Sequence, residues 1–393
     1  MEVTEKQKEG LDIAVQRYFD GERYTIISGY AGTGKSTLVK FIISALNVDE
    51  NEVVYTSFTG KATQVLSKKG NKNTSTLHKL LFTSHPRPDG TFVRIPVPSI
   101  PYRIVVVDEI SMVPNSLMTR LMSYNVYIIG LGDPFQLPPV DKNEDNHLLD
   151  NPHIFLDEIM RQAAESEIIK LTMDIRAGKP LELFKGKEVQ VLSKSELNTG
   201  MLMWADQIIC ATNATRTSIN NQMRDLLGRG DQPEDGDKVI CLRNYWDIPA
   251  NDGSVLINGT IGTLKNVYSS FVQIPYFIDG VGQRVPVVNA EFTGDMGEEY
   301  GSLIMDKKLI LEGEKSLNWK IEYKLGKNVK YQSLLPHEFT YGYAITCHKS
   351  QGSEWDKVLV LEEKFPFAKE EHARWLYTAA TRAIDKLVII KAD

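Results

Sequence analysis

Apolar residues in the first part of the chain recur in two alternating rhythms. Leu11, Ala14, Val15, Tyr18 and Phe19 fall on one face of a 3.6-residue repeat, so residues 5–19 predict an amphipathic helix. Four short apolar runs at 24–27, 53–57, 104–107 and 127–129 predict buried strands, with helix-forming stretches at 36–46, 60–69 and 114–122 between them. Strands that alternate with helices predict a parallel sheet covered on both faces, an architecture that binds ligands at the carboxyl ends of its strands.

Residues 82–101 break this rhythm with Pro86, Pro88, Pro96, Pro98 and Pro101. Asp89-Gly90, followed by an apolar run at 91–95, predicts a small β-hairpin projecting from the first domain. A second α/β stretch begins near 151, with strands expected at 189–192 and 207–211. Between 233 and 335 the pattern shifts to short β segments (238–242, 255–257, 261–267, 271–276, 285–291 and 319–323) parted by Gly, Asn and Asp, which predicts a small barrel. The α/β pattern resumes at 338–393. The expected domains are therefore 1–81 with 102–150, a hairpin insertion at 82–101, 151–232 with 336–393, and a β insertion at 233–335.

A chain of 393 residues is too long for one hydrophobic core, and 42% hydrophobic with 24% charged residues excludes a disordered or fibrous class. Forty-five Lys and Arg against 51 Asp and Glu leave a net charge of -6, which argues against nucleic-acid binding by bulk charge but not against a local groove. The N-terminal MEVTEKQKEG has no apolar signal core, and no run of about 18 apolar residues occurs. Cys210, Cys241 and Cys347 are far apart and form no CxxC pair, so they are expected as reduced thiols of a cytoplasmic protein.

Gly29-Tyr30-Ala31-Gly32-Thr33-Gly34-Lys35-Ser36 fits GxxxxGK[ST], directly after a predicted strand and before a predicted helix. Gly29, Gly32 and Gly34 let backbone N–H groups wrap phosphates, and the helix start adds its positive dipole end. Lys35 is expected on the β- and γ-phosphates, with the Ser36 hydroxyl on Mg²⁺. The apolar run at 104–107 ends in Asp108-Glu109; Asp108 would hold Mg²⁺ through water and Glu109 would polarise the attacking water. Together these predict an NTPase.

Gly132-Asp133-Pro134-Phe135-Gln136-Leu137-Pro138-Pro139-Val140 resembles motif III of superfamily 1 helicases. Leu156-Asp157-Glu158-Ile159-Met160-Arg161-Gln162 resembles motif IV, Phe339 to Asp356 motif V, and Trp375 to Ala383 motif VI. The order is similar to the RecD/Dda-like branch of superfamily 1B, over about 1–235 and 336–393. The resemblance implies two RecA-like parallel-sheet motor domains with a β-hairpin insertion in the first and an SH3-like β-barrel in the second. It implies an ATP- and Mg²⁺-dependent helicase moving 5′ to 3′ on single-stranded DNA. Gln136 would sense the γ-phosphate, Arg161 would reach it from across the cleft, and Arg382 would be the arginine finger. Thr33, Thr37, Gly352 and Glu354 would also line the nucleotide. Thr4-Glu5-Lys6-Gln7 is similar to the Q motif, with Gln7 on adenine; the alternative is a helix start capped by Thr4.

For the polymer, the resemblance implies stacking on Phe58 and phosphate contacts from Thr59, Lys61, Thr76 and His78. The alternative for Phe58 is a core aromatic ending a buried strand. Thr212, Asn213, Arg216, Thr346, His348 and Lys349 are the matching contacts of the second domain. Phe92 is the candidate wedge for base-pair separation, or an incidental aromatic on a solvated loop. Tyr245, Trp246, Tyr268 and Phe271 in the barrel read as core sooner than as a stacking platform, so no nucleic-acid residue is assigned there. Single-stranded DNA and single-strand/duplex junctions are the expected partners, with replication or recombination proteins beside them, for a monomeric motor of a bacterial or phage-infected cell. An RNA-directed helicase, a protein-stripping translocase and an ATP-gated subunit of a nuclease–helicase complex are the competing readings.

Overall fold

Val, Ile and Leu cluster in runs of up to four, as at 104–107, 358–361 and 387–390, because the strands they form are covered on both faces. The computed structural model describes residues 4–86, 92–138, 144–160, 165–251, 255–364 and 368–392. These divide into two compact units, one made of 1–82, 96–211 and 346–393 and the other of 83–95 and 212–345.

In the first unit a parallel sheet runs in the order Thr74–Thr76, Val53–Ser57, Ile104–Asp108, Tyr127–Gly132, Tyr24–Gly29 and Ile154–Leu156. The helices Glu5–Phe19 and Lys35–Ala45 cover one face through Ala14, Leu38, Val39, Ile42 and Ile43. Leu77–Leu81 and Asn115–Met122 cover the other through Leu77, Leu80, Leu81, Leu117, Met118 and Leu121. The domain boundary expected at 150 is corrected here, because Ile154–Leu156 pairs with Tyr24–Gly29 and completes this sheet.

A second sheet in the same unit runs Gln207–Cys210, Trp355–Leu361, Ala383–Ile390 and Val189–Leu192 in parallel, and the short strand Phe184–Lys185 closes it antiparallel. Helices Glu167–Arg176 and Lys369–Ala380 pack over its core of Val189, Val191, Ile209, Val358, Val360, Leu387 and Ile389. Leu137, carried on the loop after Tyr127–Gly132, is buried in this second core rather than the first. That side chain joins the two sheets, and its burial contributes about 1.5–3 kcal/mol.

The second unit is built on an antiparallel sheet in the order Glu299–Asp306, Arg284–Gly294, Ile261–Gln273, Lys238–Cys241 and Phe339–Tyr341. Tyr245–Pro249 with Val255–Leu256, and Phe82–Pro86 with Phe92–Pro96, form separate two-stranded pieces. Several expectations are corrected. The strands expected at 261–267 and 271–276 are one strand with a register shift between Lys265 and Tyr268, where Asn266 takes a φ of 54° and absorbs the extra residue of a bulge. Residues 319–323 are not a strand but the start of the helix Trp319–Gly326, whose Asn318 side chain accepts from Lys320 and Ile321 N–H. Phe339–Tyr341, expected in the second α/β domain, pairs with Lys238–Cys241. The hairpin strands and the helix Asn213–Leu226, expected with the α/β domains, group with the second unit. No described helix is long and apolar enough to cross a membrane.

Candidate functional site

The strand Tyr24–Gly29 runs directly into a loop that the helix Lys35–Ala45 ends. Gly32 and Gly34 hold left-handed φ values of 77° and 80°, which only glycine adopts without strain. A Cβ on Gly34 would also lie 2.5 Å from the Gln7 amide nitrogen. The Thr33 hydroxyl donates to Tyr30 O at 2.8 Å, and the Lys35 ammonium donates to Gly29 O at 2.6 Å and Tyr30 O at 3.0 Å. Ser36 is exposed at the helix start, with Thr37 beside it. The arrangement is a cradle of backbone N–H groups with one ammonium at hand.

Gln7 is buried, and it serves both ends of a capping box: its N–H donates to Thr4 Oγ1 at 3.2 Å and its Oε1 accepts from Thr4 N at 3.1 Å. Its Nε2 donates to Thr33 O at 3.3 Å, so the cap also braces the phosphate loop. Met160, the last described residue before Arg161, donates its N–H to Gly32 O at 3.1 Å. Arg161 itself lies outside the described residues.

The strand Ile104–Asp108 delivers Asp108 and Glu109 to the same edge. Glu109 is forced to a φ of 51°, and its N–H donates to Asp108 Oδ1 at 3.0 Å. Burial pushes both carboxyls above the usual carboxylate range; the Lys35 ammonium opposes this at Asp108, and the Arg382 guanidinium, ahead of Lys35, opposes it at Glu109. Mg²⁺ needs only one or two protein oxygens in addition to nucleotide phosphates, and the half-buried Asp108 carboxylate and the exposed Ser36 hydroxyl are groups that could supply them.

The loop after Tyr127–Gly132 is where the two sheets meet. Leu137 N–H donates to Thr378 Oγ1 at 3.0 Å, Gln351 Nε2 donates to Leu137 O at 2.9 Å, and Arg374 donates to Pro134 O at 3.0 Å. Oriented by its neighbours, the Gln136 amide donates to Glu109 Oε2 at 3.0 Å and accepts from Arg382 Nη2 at 3.3 Å. Arg382 is buried and further fixed by the Thr378 and Ser353 carbonyls at 3.1 and 3.4 Å. Glu109, Gln136 and Arg382 thus form one hydrogen-bonded set, and the Lys35 charge acts on Glu109. Gly352 takes a φ of 77° and approaches Ala62 so closely that a Cβ would sit 2.9 Å from the Ala62 methyl. Glu354 is exposed, and its charge adds to the upward push on Asp108.

Tyr377 and Asp133 stand inside the quoted motifs, yet sequence reasoning gave them no role. The Tyr377 hydroxyl donates to Asp133 Oδ2 at 2.6 Å and accepts from Ala31 N–H in the phosphate loop at 3.1 Å. Both side chains are buried, and the Phe135 ring meets Tyr377 edge-on at 5.3 Å. Burial, reinforced by the Asp133 charge, drives the Tyr377 hydroxyl far above the usual phenol range. The signal available was position alone: Tyr377 lies five residues before Arg382, on the helix that also presents Thr378.

The polymer candidates fall into separate groups. Phe58 is half-buried against the first core, and its ring lies 5.7 Å from His78, which lies 6.3 Å from Phe82. Thr59, Thr76 and Thr212 are helix N-caps, accepting from Ala62, Lys79 and Thr215 N–H at 3.2, 3.3 and 3.2 Å. Lys61 is buried, while His348 and Lys349 are exposed on the turn that follows Thr346. Thr212 and Asn213 are exposed and Arg216 half-buried in the second unit. Phe92 opens the strand Phe92–Pro96, and its side chain lies outside the described residues.

Residues 3–194 match an AAA domain family and residues 341–390 a UvrD-like helicase C-terminal domain. The ATP-dependent RecD2 DNA helicase of Deinococcus radiodurans is 26% identical over 98% of this chain and 49% of its own length. The ATP-dependent DNA helicase Dda of Enterobacteria phage T4 is 32% identical over 45% of this chain and 43% of its own. An uncharacterized protein of Acanthamoeba polyphaga mimivirus is 34% identical over 91% of this chain and 93% of its own. The chain therefore spans about half or less of the length of the RecD2 and Dda relatives. The crystal structure of Pif1 helicase from Candida albicans shares the fold, with a TM-score of 0.53 at 18% identity over 100% of this chain and 95% of that one. A parallel sheet carrying the phosphate loop and acid pair, a motif III loop clamped by the helix that holds Arg382, and these relatives place the chain in superfamily 1B of the helicases, in the RecD and Dda group.

Proposed function

We propose that this chain hydrolyses ATP with Mg²⁺ and uses the cycle to translocate along single-stranded DNA in the 5′ to 3′ direction, unwinding duplex ahead of it. The observation that carries the reading is Gln136, whose amide touches Glu109 at the end of a first-sheet strand and Arg382 beyond the helix of the second sheet. A side chain bonded to both responds to whatever occupies the space they face, so hydrolysis at one end changes the hold at the other. Ser36 and Asp108 would hold the Mg²⁺, which neutralises charge on the phosphates. Lys35 and Arg382 would bind the phosphates, and Glu109 would orient water and accept its proton, a task suited to a carboxyl of raised proton affinity. Gln7 on adenine and Arg161 on the γ-phosphate belong to the same reading.

Two RecA-like domains, the 82–101 hairpin as a pin with Phe92 at the junction, and an SH3-like 233–335 insertion complete the proposed architecture. Inchworm stepping follows if two grips on one strand, Phe58 with its neighbours and Thr346 with His348 and Lys349, alternate as the cleft closes and opens. Support for DNA comes from the names of RecD2 and Dda and from a Bacteroides Pif1 solved with ADP-AlF3 and single-stranded DNA; polarity rests on the family resemblance. The test is ATP turnover with no polymer, single-stranded DNA, single-stranded RNA and blunt duplex, followed by unwinding of duplexes tailed at either end. Stimulation by single-stranded DNA with opening of 5′-tailed duplex is expected. Equal stimulation by RNA would replace DNA by RNA in the reading, and turnover indifferent to every polymer would sink the motor.

A further inference from the structure

Among the described residues nine aromatic side chains are more than a third exposed, and six of them fall within one stretch of the second unit: Tyr268, Phe271, Tyr276, Phe277, Trp319 and Tyr323. Neither matched family model reaches this stretch, since the two end at 194 and resume at 341. The helix Trp319–Gly326 explains how two of the rings come to face outward. Ile321 and Leu325, four apart, pack into a cluster with Val272, Ile274, Ile278, Val285 and Val287. Trp319 and Tyr323, also four apart, are left on the outer side with 69% and 51% of their surface exposed. Exposed large rings in this number need a reason, because solvating them costs free energy that folding within the chain does not recover.

Cations accompany the rings. Lys320 Nζ lies 5.8 Å from the Trp319 ring centre, Lys327 Nζ 4.2 Å from Tyr323, Lys330 Nζ 5.7 Å from Tyr331, and the Arg284 guanidinium 4.4 Å from Phe271. Residues 319–331 carry four Lys and one Glu, a local charge of 4 − 1 = +3 in a chain whose net charge is -6. That one carboxylate, Glu322, is engaged by Lys315 at 3.2 Å. Protein interfaces are depleted in lysine at their centres, whereas flat rings interleaved with ammonium groups suit unstacked bases on a phosphate backbone.

We propose that Trp319 and Tyr323, with Lys320, Lys327 and Lys330, form a stacking platform for single-stranded nucleic acid, outside every motif that the family resemblance uses. The proposal rests on the reading that this chain binds a single-stranded polymer. Bases stack on the two rings without regard to sequence, and the lysines neutralise phosphates.

The test is fluorescence anisotropy with long oligothymidylate and oligouridylate across a salt series. It compares the full chain with a ring variant (Trp319→Ala, Tyr323→Ala) and a charge variant (Lys320→Gln, Lys327→Gln, Lys330→Gln). The ring variant is expected to bind roughly tenfold more weakly for each ring removed, with an unchanged salt slope. The charge variant leaves every side chain of the apolar cluster in place, so it keeps the test decisive should the ring variant unfold. It is expected to flatten the slope of log affinity against log salt by about 2, from about 0.7 for each phosphate contact on a single strand. Loss on thymidylate alone assigns the platform to DNA, on uridylate alone to RNA, and on both to the chemistry they share. Wild-type affinity and slope in the charge variant would overturn the platform and leave the surface to a protein partner. A wild-type chain that binds neither oligomer would instead defeat the underlying reading.

Discussion

The Tyr377 hydroxyl has one hydrogen bond to donate and lone pairs to offer; Asp133 accepts the bond and Ala31 N–H donates to a lone pair. Removing the oxygen leaves a buried carboxylate short of a donor, which costs about 1–3 kcal/mol. Tyr377→Phe is therefore expected to lower the unfolding free energy measured in urea by that amount and to reduce kcat roughly tenfold, while KM for ATP stays within a few-fold, because the bond sets the loop's posture rather than gripping phosphate. A loss confined to KM would refute that role. Arg382→Ala removes the charge that meets Gln136 and faces Glu109, and turnover should fall by about 10³–10⁵ with nucleotide still bound. Steady-state hydrolysis beside binding of a fluorescent ADP analogue checks this, and an unchanged kcat would dismiss the finger. At this scale Lys35, Asp108 and Glu109 are read from linear patterns whose spacing the chemistry fixes, and Gln136 from the family resemblance alone. Tyr377 and Asp133 are not legible, because their partnership spans 244 positions and exists only when the two sheets are folded.

Elements are read well where one periodicity dominates. The helix Lys35–Ala45 and the strand Val53–Ser57 appear within a residue or two of expectation, since a 3.6-residue or continuous apolar pattern admits one solution. Trp319, Ile321, Tyr323 and Leu325 alternate with polar residues and so mimic a strand; the Asn318 cap and the burial of Ile321 and Leu325 on one side decide for helix. The motif threonines tell a similar story, since Thr59, Thr76 and Thr212 each close the first turn of a helix, a duty that spacing does not separate from phosphate binding. Gly352 is the element-level constraint with the sharpest expected outcome. Gly352→Ala places a methyl 2.9 Å from Ala62 and 3.1 Å from Thr59 Oγ1 at a left-handed φ of 77°. Destabilisation of about 1–3 kcal/mol should follow, and denaturant titration that finds the variant as stable as wild type would show that the turn relaxes freely.

Over the whole molecule the acid pair makes stability depend on pH in a defined direction. Burial holds Asp108 and Glu109 above the ordinary carboxylate range, so the folded chain retains protons that the unfolded chain has released. Their contribution is most favourable below the unfolded values and declines as pH rises through the window up to the folded values. Asp108→Asn removes one of the two, so its unfolding free energy should fall less steeply across that window and lie higher at neutral pH, by about 1–2 kcal/mol, with hydrolysis lost. A profile parallel to wild type would show that Asp108 is not buried as a charge. The sequence by itself determined the parallel α/β character of the first 150 residues, the phosphate loop and acid pair, and the family, because each is written in short-range periodicity or in residues adjacent along the chain. Only the tertiary structure decided that Ile154–Leu156 completes the first sheet, that Phe339–Tyr341 leaves the α/β region for the antiparallel one, and that Leu137 is buried in the second core. It alone also joined Ala31, Asp133 and Tyr377. These outcomes depend on which distant backbone edges and side chains close upon one another, and local propensity carries no term for that.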